Sequence, residues 1–530
     1  MRAKDRERVL AEVVQRVTER ASATPQQLEQ SLFDTLYEER RRLEAERHRR
    51  SGRAALAAYE RVQARALKAG PEEQRALLRE LVGGFAAEVA GHFDERIYHL
   101  TTKAVPAALT LLFNAVSPLR LLQQIPSGLS RLDDQLEISG ETEAFKQAVA
   151  RGTVVLVPTH ASHMDSILAG YMLYRLGLPP FVYGAGLNLF HNRLIGFFMH
   201  NLGAYKVDRK KKAAIYKEVL KTYAGVTLEL GYHNLFFPGG TRSRSGAVES
   251  RLKLGLLGMG LDAYVRSLRA GNPRPDVVVV PCTINYQLVL EAETLIDDHL
   301  KEVGKSRYII EDDEFSRPRR VFEFVSRLFE LQSRIHIRVS RPLDPFGNQV
   351  DDQGRSLDAR GRAVDRRRYV LVGEEPGFDA QRDQEYTREL ARAIVEAFRR
   401  DTVFGSVHLV AWVVFRWLQE QNPGLDLYRL LRTGGAEPSM PLLEAYRRIE
   451  RVREAMRQEE AAGRMRLDAT LRDGDSVQLL ADALAHLRVF HVTPALERRG
   501  DRLLHVDRNL LLYYQNRLAD RGLPPQGVPA

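Results

Sequence analysis

Val154-Val155-Leu156-Val157-Pro158-Thr159-His160-Ala161-Ser162-His163-Met164-Asp165 is the stretch on which the reading of this chain turns. An apolar run rich in β-branched residues, closed by Pro158 and followed by a polar cluster, predicts a buried strand that stops at the proline and turns into a helix. Chemistry is expected at that strand end. His160 and Asp165 are five residues apart, which on a continuous helix would set them roughly 140° apart, off any shared face. If the chain bends between them, with Ser162 capping a helix that begins near His163, the carboxylate can swing back to the imidazole and hold one ring nitrogen. The other nitrogen is then a base near neutral pH. A plain structural reading fits too: Ser162-x-x-Asp165 resembles a capping box with Asp for Glu, around a structural histidine.

Working outward, Asn234-Leu235-Phe236-Phe237-Pro238-Gly239-Gly240-Thr241-Arg242-Ser243-Arg244-Ser245-Gly246 reads as a strand ending in a Pro-Gly-Gly turn, which lets backbone approach a ligand closely. In an extended Arg242-Ser243-Arg244 both guanidinium forks point the same way and suit a phosphate. The alternative is a solvated Arg-rich turn. Gly203-Ala204-Tyr205-Lys206-Val207-Asp208-Arg209 would bring Lys206 and Arg209 to the same rim, and the Lys210-Lys211-Lys212 run after it reads as a solvated helix start.

These stretches belong to one texture. From about Ser127 to Pro345 apolar strands alternate with helical segments, which predicts an α/β domain with a mostly parallel central sheet flanked by helices. Candidate strands are 153–157, 181–183, 204–207, 234–237, 277–281 and 335–339, with helices over 162–176 and 213–231. The expected organisation is an N-terminal helical region (1–126), the α/β domain (127–385) and a C-terminal helical region (386–530). In the N-terminal region Leu32, Leu36, Tyr37 and Leu43 recur at helical spacing, and Gly70-Pro71 and Gly83-Gly84 are expected turns. Residues 347–368 read as a polar insertion without period.

The net charge of +10 favours acidic partners. A nucleic-acid role would want aromatic and basic residues interleaved or a reader motif, and neither stands out. The one cysteine, Cys282, lies in an apolar strand, so it is expected to be buried and no intramolecular disulfide can form. The first twenty residues lack a secretory apolar core. No run reaches the length of a spanning helix. Ala104–Leu122 and Val407–Leu418 each read as a core helix or as a membrane-interface segment. Gly258-Met259-Gly260 follows a helical stretch where a dinucleotide fingerprint needs a strand. No G-x-S-x-G, H-E-x-x-H or C-x-x-C occurs, and His160 with His163 is too little for a zinc site, so no metal and no cofactor are expected.

Together the stretches resemble the glycerolipid acyltransferase superfamily, and within it the bacterial membrane-associated glycerol-3-phosphate acyltransferases. His160-Ala161-Ser162-His163-Met164-Asp165 corresponds to the family's H-x4-D block and Gly203 to Arg209 to its second block. Gly240-Thr241-Arg242-Ser243-Arg244 is similar to the third, and Val280-Pro281-Cys282-Thr283-Ile284-Asn285-Tyr286 to the fourth. The resemblance implies a base at His160 oriented by Asp165, and substrate contacts from Lys206, Arg209, Gly240, Thr241, Arg242 and Arg244. It implies acyl transfer from acyl-CoA or acyl carrier protein to the sn-1 hydroxyl of glycerol 3-phosphate, the first step of phospholipid synthesis. It also implies peripheral or monotopic attachment to an anionic membrane surface on the cytoplasmic face. Dihydroxyacetone phosphate or lysophosphatidic acid as acceptor, or a non-catalytic lipid-binding relative, are the alternatives. One departure stands out: the family's third block carries Glu where this chain has Gly239.

Overall fold

A computed structural model of the chain describes residues 3–48, 50–100, 136–187, 193–303, 334–437, 439–489 and 493–523. Four helices come first: α1 (Ala3–Ala21), α2 (Pro25–Ala45), α3 (Arg50–Ala66) and α4 (Pro71–Val89). The Thr24 hydroxyl caps α2 by accepting from the Gln27 N–H, and Pro25 and Pro71 sit in first turns, where a missing N–H costs nothing. Val9, Val13 and Val17 on α1 and Leu28, Leu32 and Leu36 on α2 face inward, while Tyr37 is exposed. Gly83-Gly84 is no turn; both glycines lie inside α4, whose packed face outweighs their low helix propensity.

The centre is a seven-stranded sheet of β1 (Leu136–Gly140), β2 (Thr153–Pro158), β3 (Val182–Gly186), β4 (Ala204–Val207), β5 (Asn234–Leu235), β6 (Val277–Asn285) and β7 (Ile335–Val339), in the order β1-β7-β6-β2-β5-β3-β4. Every neighbouring pair is parallel except β6 with β7. The mostly parallel α/β sheet expected from the sequence is therefore present, with β1 as a strand the sequence reading lacked. β6 also runs four residues past the expected stop at Pro281. It exchanges partners there, and the Pro281 carbonyl accepts from the Ser340 N–H beyond the end of β7.

Helices α5 (Thr142–Arg151), α6 (Asp165–Arg175), α7 (Arg193–Asn201), α8 (Ala214–Glu229), α9 (Leu254–Arg269) and α10 (Ala292–Val303) connect the strands. Period-two alternation splits β2 between two cores. Val154 and Leu156 join α6 and the C-terminal helices, whereas Val155 and Val157 join α9 and α11 (Ala380–Asp401). A third core packs α1, α2 and α4 against Tyr205 of β4 and Tyr216 and Tyr223 of α8.

The insertion has a period after all. Asp344, Asp351 and Asp358 recur every seven residues, and each carboxylate accepts N–H bonds from positions two and four residues on. Gly347, Gly354 and Gly361, three residues after each Asp, take left-handed φ angles of 90°, 85° and 75°. The turns join β8 (Gln349–Val350), β9 (Ser356–Leu357) and β10 (Ala363–Val364) into a small antiparallel sheet.

In the C-terminal part, α12 (Ser406–Gln421) buries Val407 to Phe415, Trp417 and Leu418, so this apolar segment is a core helix and not a membrane-interface one. It packs with α13 (Leu442–Ala461), α14 (Ser476–Val489) and α15 (Arg508–Gln515). The other apolar segment, Ala104–Leu122, lies outside the described residues. Among them no helix is long and apolar enough to cross a membrane.

Candidate active site

β2, β5, β3 and β4 are parallel neighbours, so their C-terminal ends open on one rim, the usual place for ligands in such sheets. The chain leaving β2 is pinned at once. The Thr159 N–H donates to the Cys282 carbonyl (2.9 Å) and its hydroxyl accepts from the Ile284 N–H (3.0 Å). The backbone then bends, and Asp165, fully buried, folds back under the bend. Its Oδ2 accepts from the N–H groups of Ala161 (2.7 Å) and Ser162 (2.9 Å) and from His160 Nδ1 (2.8 Å).

The expected pairing of His160 and Asp165 is thus present, but the cap is not. The helix begins at Asp165, not near His163, and Ser162 is no cap. The Ser162 hydroxyl instead donates to the buried carboxylate of Glu291 (2.9 Å to Oε2). Asp165 occupies the first turn of α6, where a negative charge is favoured by the helix dipole.

Because an ionised carboxylate only accepts, Nδ1 carries the proton and Nε2 is the acceptor. The ring stacks on Phe237, centroids 4.0 Å apart, and the side chain keeps 11% of its surface exposed. Burial lowers the His160 pKa below its ordinary 6.5; the Asp165 contact opposes this, and the charges of Arg242 and Arg209 add to it. A neutral imidazole with one open nitrogen results, which is what a general base requires.

Guanidinium groups gather on the same rim. The half-buried Arg242 reaches Glu291 (3.3 Å), and Arg244 pairs with Glu302 (2.7 Å). Arg209 follows β4 and has no carboxylate partner among the described residues. It is exposed by surface area, yet protein packed about its head group, together with the charges of Arg242 and Arg244, lowers its pKa. Three mutually repelling cations near one another favour the approach of an anion. The Lys206 charge is felt at His200 and is not among those that shift Arg209.

The loop that carries the arginines is held by backbone. Gly240, at φ 77°, closes a turn on the Phe237 carbonyl, and the Ser243 N–H donates to the His160 carbonyl (2.7 Å). Thr241 is exposed at the tip. The C-terminal region clamps the far end, with Asn516 donating to the Ser245 carbonyl (2.9 Å) and Gly246 lying flat against Tyr513.

Several site residues escaped the sequence reading. Tyr286 donates its hydroxyl to Asp165 Oδ1, Glu291 holds Ser162 and Arg242, and Glu249 Oε1 accepts the His160 N–H (2.7 Å). Arg517, from beyond α15, is buried beside Tyr513, Glu249 and Asp165. Two of these had a signal: Tyr286 its place in the fourth block, and Glu249 its nearness in sequence to Gly239, though nothing in the sequence shows that it substitutes for the missing glutamate. Lys211 was misread: it is buried, with its ammonium 2.6 Å from Glu88, 3.7 Å from Glu39 and over the Phe85 ring. Cys282 is buried as expected, with its thiol pKa pushed up by burial. Among the described residues no cluster of His, Cys, Asp and Glu is arranged to hold a metal ion.

Residues 137–285 match the family model described as Acyltransferase. The glycerol-3-phosphate acyltransferase of Xanthomonas axonopodis pv. citri (strain 306) is 35% identical over 157 residues, 29% of this chain and 17% of the relative. That of Xylella fastidiosa (strain M23) is 32% identical over 170 residues, 32% and 19% of the two chains. That of Pseudomonas syringae pv. tomato (strain ATCC BAA-871 / DC3000) is 29% identical over 212 residues, 37% and 24%. The match spans less than a quarter of the length of each of these relatives. The segment that matches the family model is the one that carries β2, the His160–Asp165 bend and the arginine loop.

Proposed function

We propose that this chain transfers a fatty acyl group from the thioester of acyl-CoA or acyl carrier protein to the sn-1 hydroxyl of glycerol 3-phosphate. The observation that carries the reading is the shared rim: a neutral imidazole oriented by a buried carboxylate, beside three guanidinium groups. His160 Nε2 takes the proton from the hydroxyl as its oxygen attacks the thioester carbonyl, and Asp165 stabilises the imidazolium. The tetrahedral intermediate collapses with cleavage of the C–S bond, and the departing thiolate takes the proton back from His160. No acyl-enzyme forms. General-base help supplies about 10²- to 10⁴-fold; positioning of the two substrates and stabilisation of the oxyanion supply the rest. Arg209, Arg242 and Arg244 hold the acceptor's phosphate by charge-assisted hydrogen bonds.

The acyl donor and product are amphipathic, and on this reading the mouth of the site faces an anionic membrane surface on the cytoplasmic face. The net charge of +10 and the exposed Ile167 and Tyr174 on α6 and Phe197 on α7 support peripheral attachment of this kind. Flotation with vesicles should strengthen with anionic lipid and weaken with salt; indifference to both would remove this part of the reading.

The deciding assay presents purified protein with radiolabelled acyl-CoA and, in turn, glycerol 3-phosphate, dihydroxyacetone phosphate and lysophosphatidic acid. Labelled 1-acylglycerol 3-phosphate should form, and His160→Ala should abolish it with the fold intact. Full transfer by the His160→Ala variant would overturn the mechanism.

A further inference from the structure

Gly239 sits where the resemblance leads one to expect a glutamate, and its surroundings show what has taken the space. A Cβ built on Gly239 would lie 3.0 Å from the carboxyl carbon of Glu249 and 3.1 and 3.2 Å from its two oxygens. Position 239 and the Glu249 head group therefore compete for one volume. Either can fill it, and in this chain Glu249 does, from ten residues downstream.

The group is held firmly on one side only. Its Oε1 accepts the His160 backbone N–H at 2.7 Å, so Glu249 grips the peptide of the proposed base, while Asp165 grips the ring. Its Oε2 is buried and has no hydrogen-bond partner among the described residues. Parts of the Glu249 residue reach the surface, but this oxygen does not. A buried carboxyl oxygen with unspent hydrogen-bonding capacity is unfavourable unless something satisfies it, and the groups that approach a base during acyl transfer are hydroxyls.

We propose that Glu249 is a positioning residue of the acyl transfer reaction, supplying in space the carboxyl group that the arginine loop lacks at Gly239. One oxygen sets the height of His160 over the rim, and the other is kept for a hydroxyl of the polyol phosphate acceptor. The inference rests on the proposed transfer to such an acceptor. Its electrostatics agree with its geometry: burial pushes the Glu249 pKa up to about 8, helped by the nearby Asp165 charge and opposed by the His160 N–H and by Arg517. Below that pH the group is a neutral acid, able to accept from the peptide through one oxygen and donate through the other. Glutamine reproduces both capacities and alanine neither.

The test is a cycle of four variants: Glu249→Ala, Glu249→Gln, Gly239→Glu and the double Gly239→Glu/Glu249→Ala. Glu249→Ala should lower turnover by about 10- to 100-fold, since a base misplaced by an ångström can cost about that much. Glu249→Gln should keep most activity at pH 7 and lose the change in rate that the wild type shows near pH 8. Gly239→Glu alone should impair the enzyme because two carboxyl groups claim one space, and adding Glu249→Ala should restore much of the loss. Wild-type turnover in Glu249→Ala, or a folded double variant no better than Glu249→Ala, would overturn the proposal. A readout independent of turnover separates it from the acyl transfer reading. The His160 imidazole, followed by NMR in labelled protein, should titrate at higher pH in Glu249→Ala than in wild type, as water enters the vacated space, and unchanged in Glu249→Gln. If the wild type is inactive with every acceptor, the reading of the reaction fails while this titration still tests the contact. An unshifted titration in Glu249→Ala would overturn the contact's role.

Discussion

Tyr286 and Asp165 are joined by a hydrogen bond from the tyrosine hydroxyl to Oδ1, the carboxylate oxygen that His160 does not use. The partner comes from just past the end of β6, so the strand that continues through Pro281 delivers the second support of the base. Asp165 accepts four hydrogen bonds in all, three at Oδ2 and this one at Oδ1, and has no freedom to turn away from the imidazole.

Tyr286→Phe tests that support. With less of its charge spent on the hydroxyl, Asp165 holds the imidazolium more strongly, and His160 is expected to titrate higher than in the wild type. The acid limb of kcat/KM should move up in pH. Loss of a buried hydrogen-bond partner should also cost about 1–3 kcal/mol of stability. A pH–rate profile with the limb unmoved would detach Tyr286 from the base.

The acid limb itself follows from the lowered His160 pKa. The folded protein binds the proton less readily than the unfolded chain, whose histidine titrates near 6.5. Activity should therefore persist somewhat below pH 6.5. The same shift makes unfolding easier as pH falls through that window, since the unfolded chain takes up the proton first. Urea midpoints of wild type and His160→Gln should match above pH 7, with the wild type losing more as pH drops below 6.5.

Arg242 and Arg244 should not respond alike. Arg242 is a countercharge of the fully buried Glu291, so Arg242→Ala should both raise the acceptor KM and cost roughly 3 kcal/mol of stability. Arg244 pairs with the exposed Glu302, and Arg244→Ala should raise KM while changing stability by less than about 1 kcal/mol. Equal melting temperatures for the two variants would contradict this division.

Lys211→Met carries the effect of the N-terminal helices into the site. The buried Lys211 holds Glu88 of α4 and Glu39 of α2 beside the turn Asp208–Lys211 that carries Arg209. Removing the ammonium leaves Glu39 buried with less positive charge around it, a loss of about 3–5 kcal/mol, and should loosen Arg209. Chemical denaturation and the acceptor KM measure the two consequences; an unchanged KM in a destabilised variant would leave the bundle a purely structural role.

β2 and β6 were legible because a strand buried on both faces is written in a short apolar run, and β7 because Ile335, Ile337 and Val339 alternate with His336 and Arg338. The seven-residue recurrence of Asp and Gly from Asp344 to Gly361 was equally present in the sequence and was read as aperiodic; the period is shorter than repeats of the usual kind. β1 could not be read, since its five residues include charge and small polar groups and it is a strand only because β7, about two hundred positions away, pairs with it.

By itself the amino-acid order showed the parallel layer, the bend after Pro158 that joins His160 to Asp165, and the arginines that follow the ends of two other strands. These depend on local pattern and on short spacing within single elements. Tertiary structure alone decided the carboxyl groups and the buried lysine: Glu249 in the space beside Gly239, Glu291 beneath Ser162 and Arg242, Lys211 between Glu39 and Glu88. A charged side chain looks the same in sequence whether water or protein surrounds it, and only the packing of distant segments removes the water and makes a particular partner necessary.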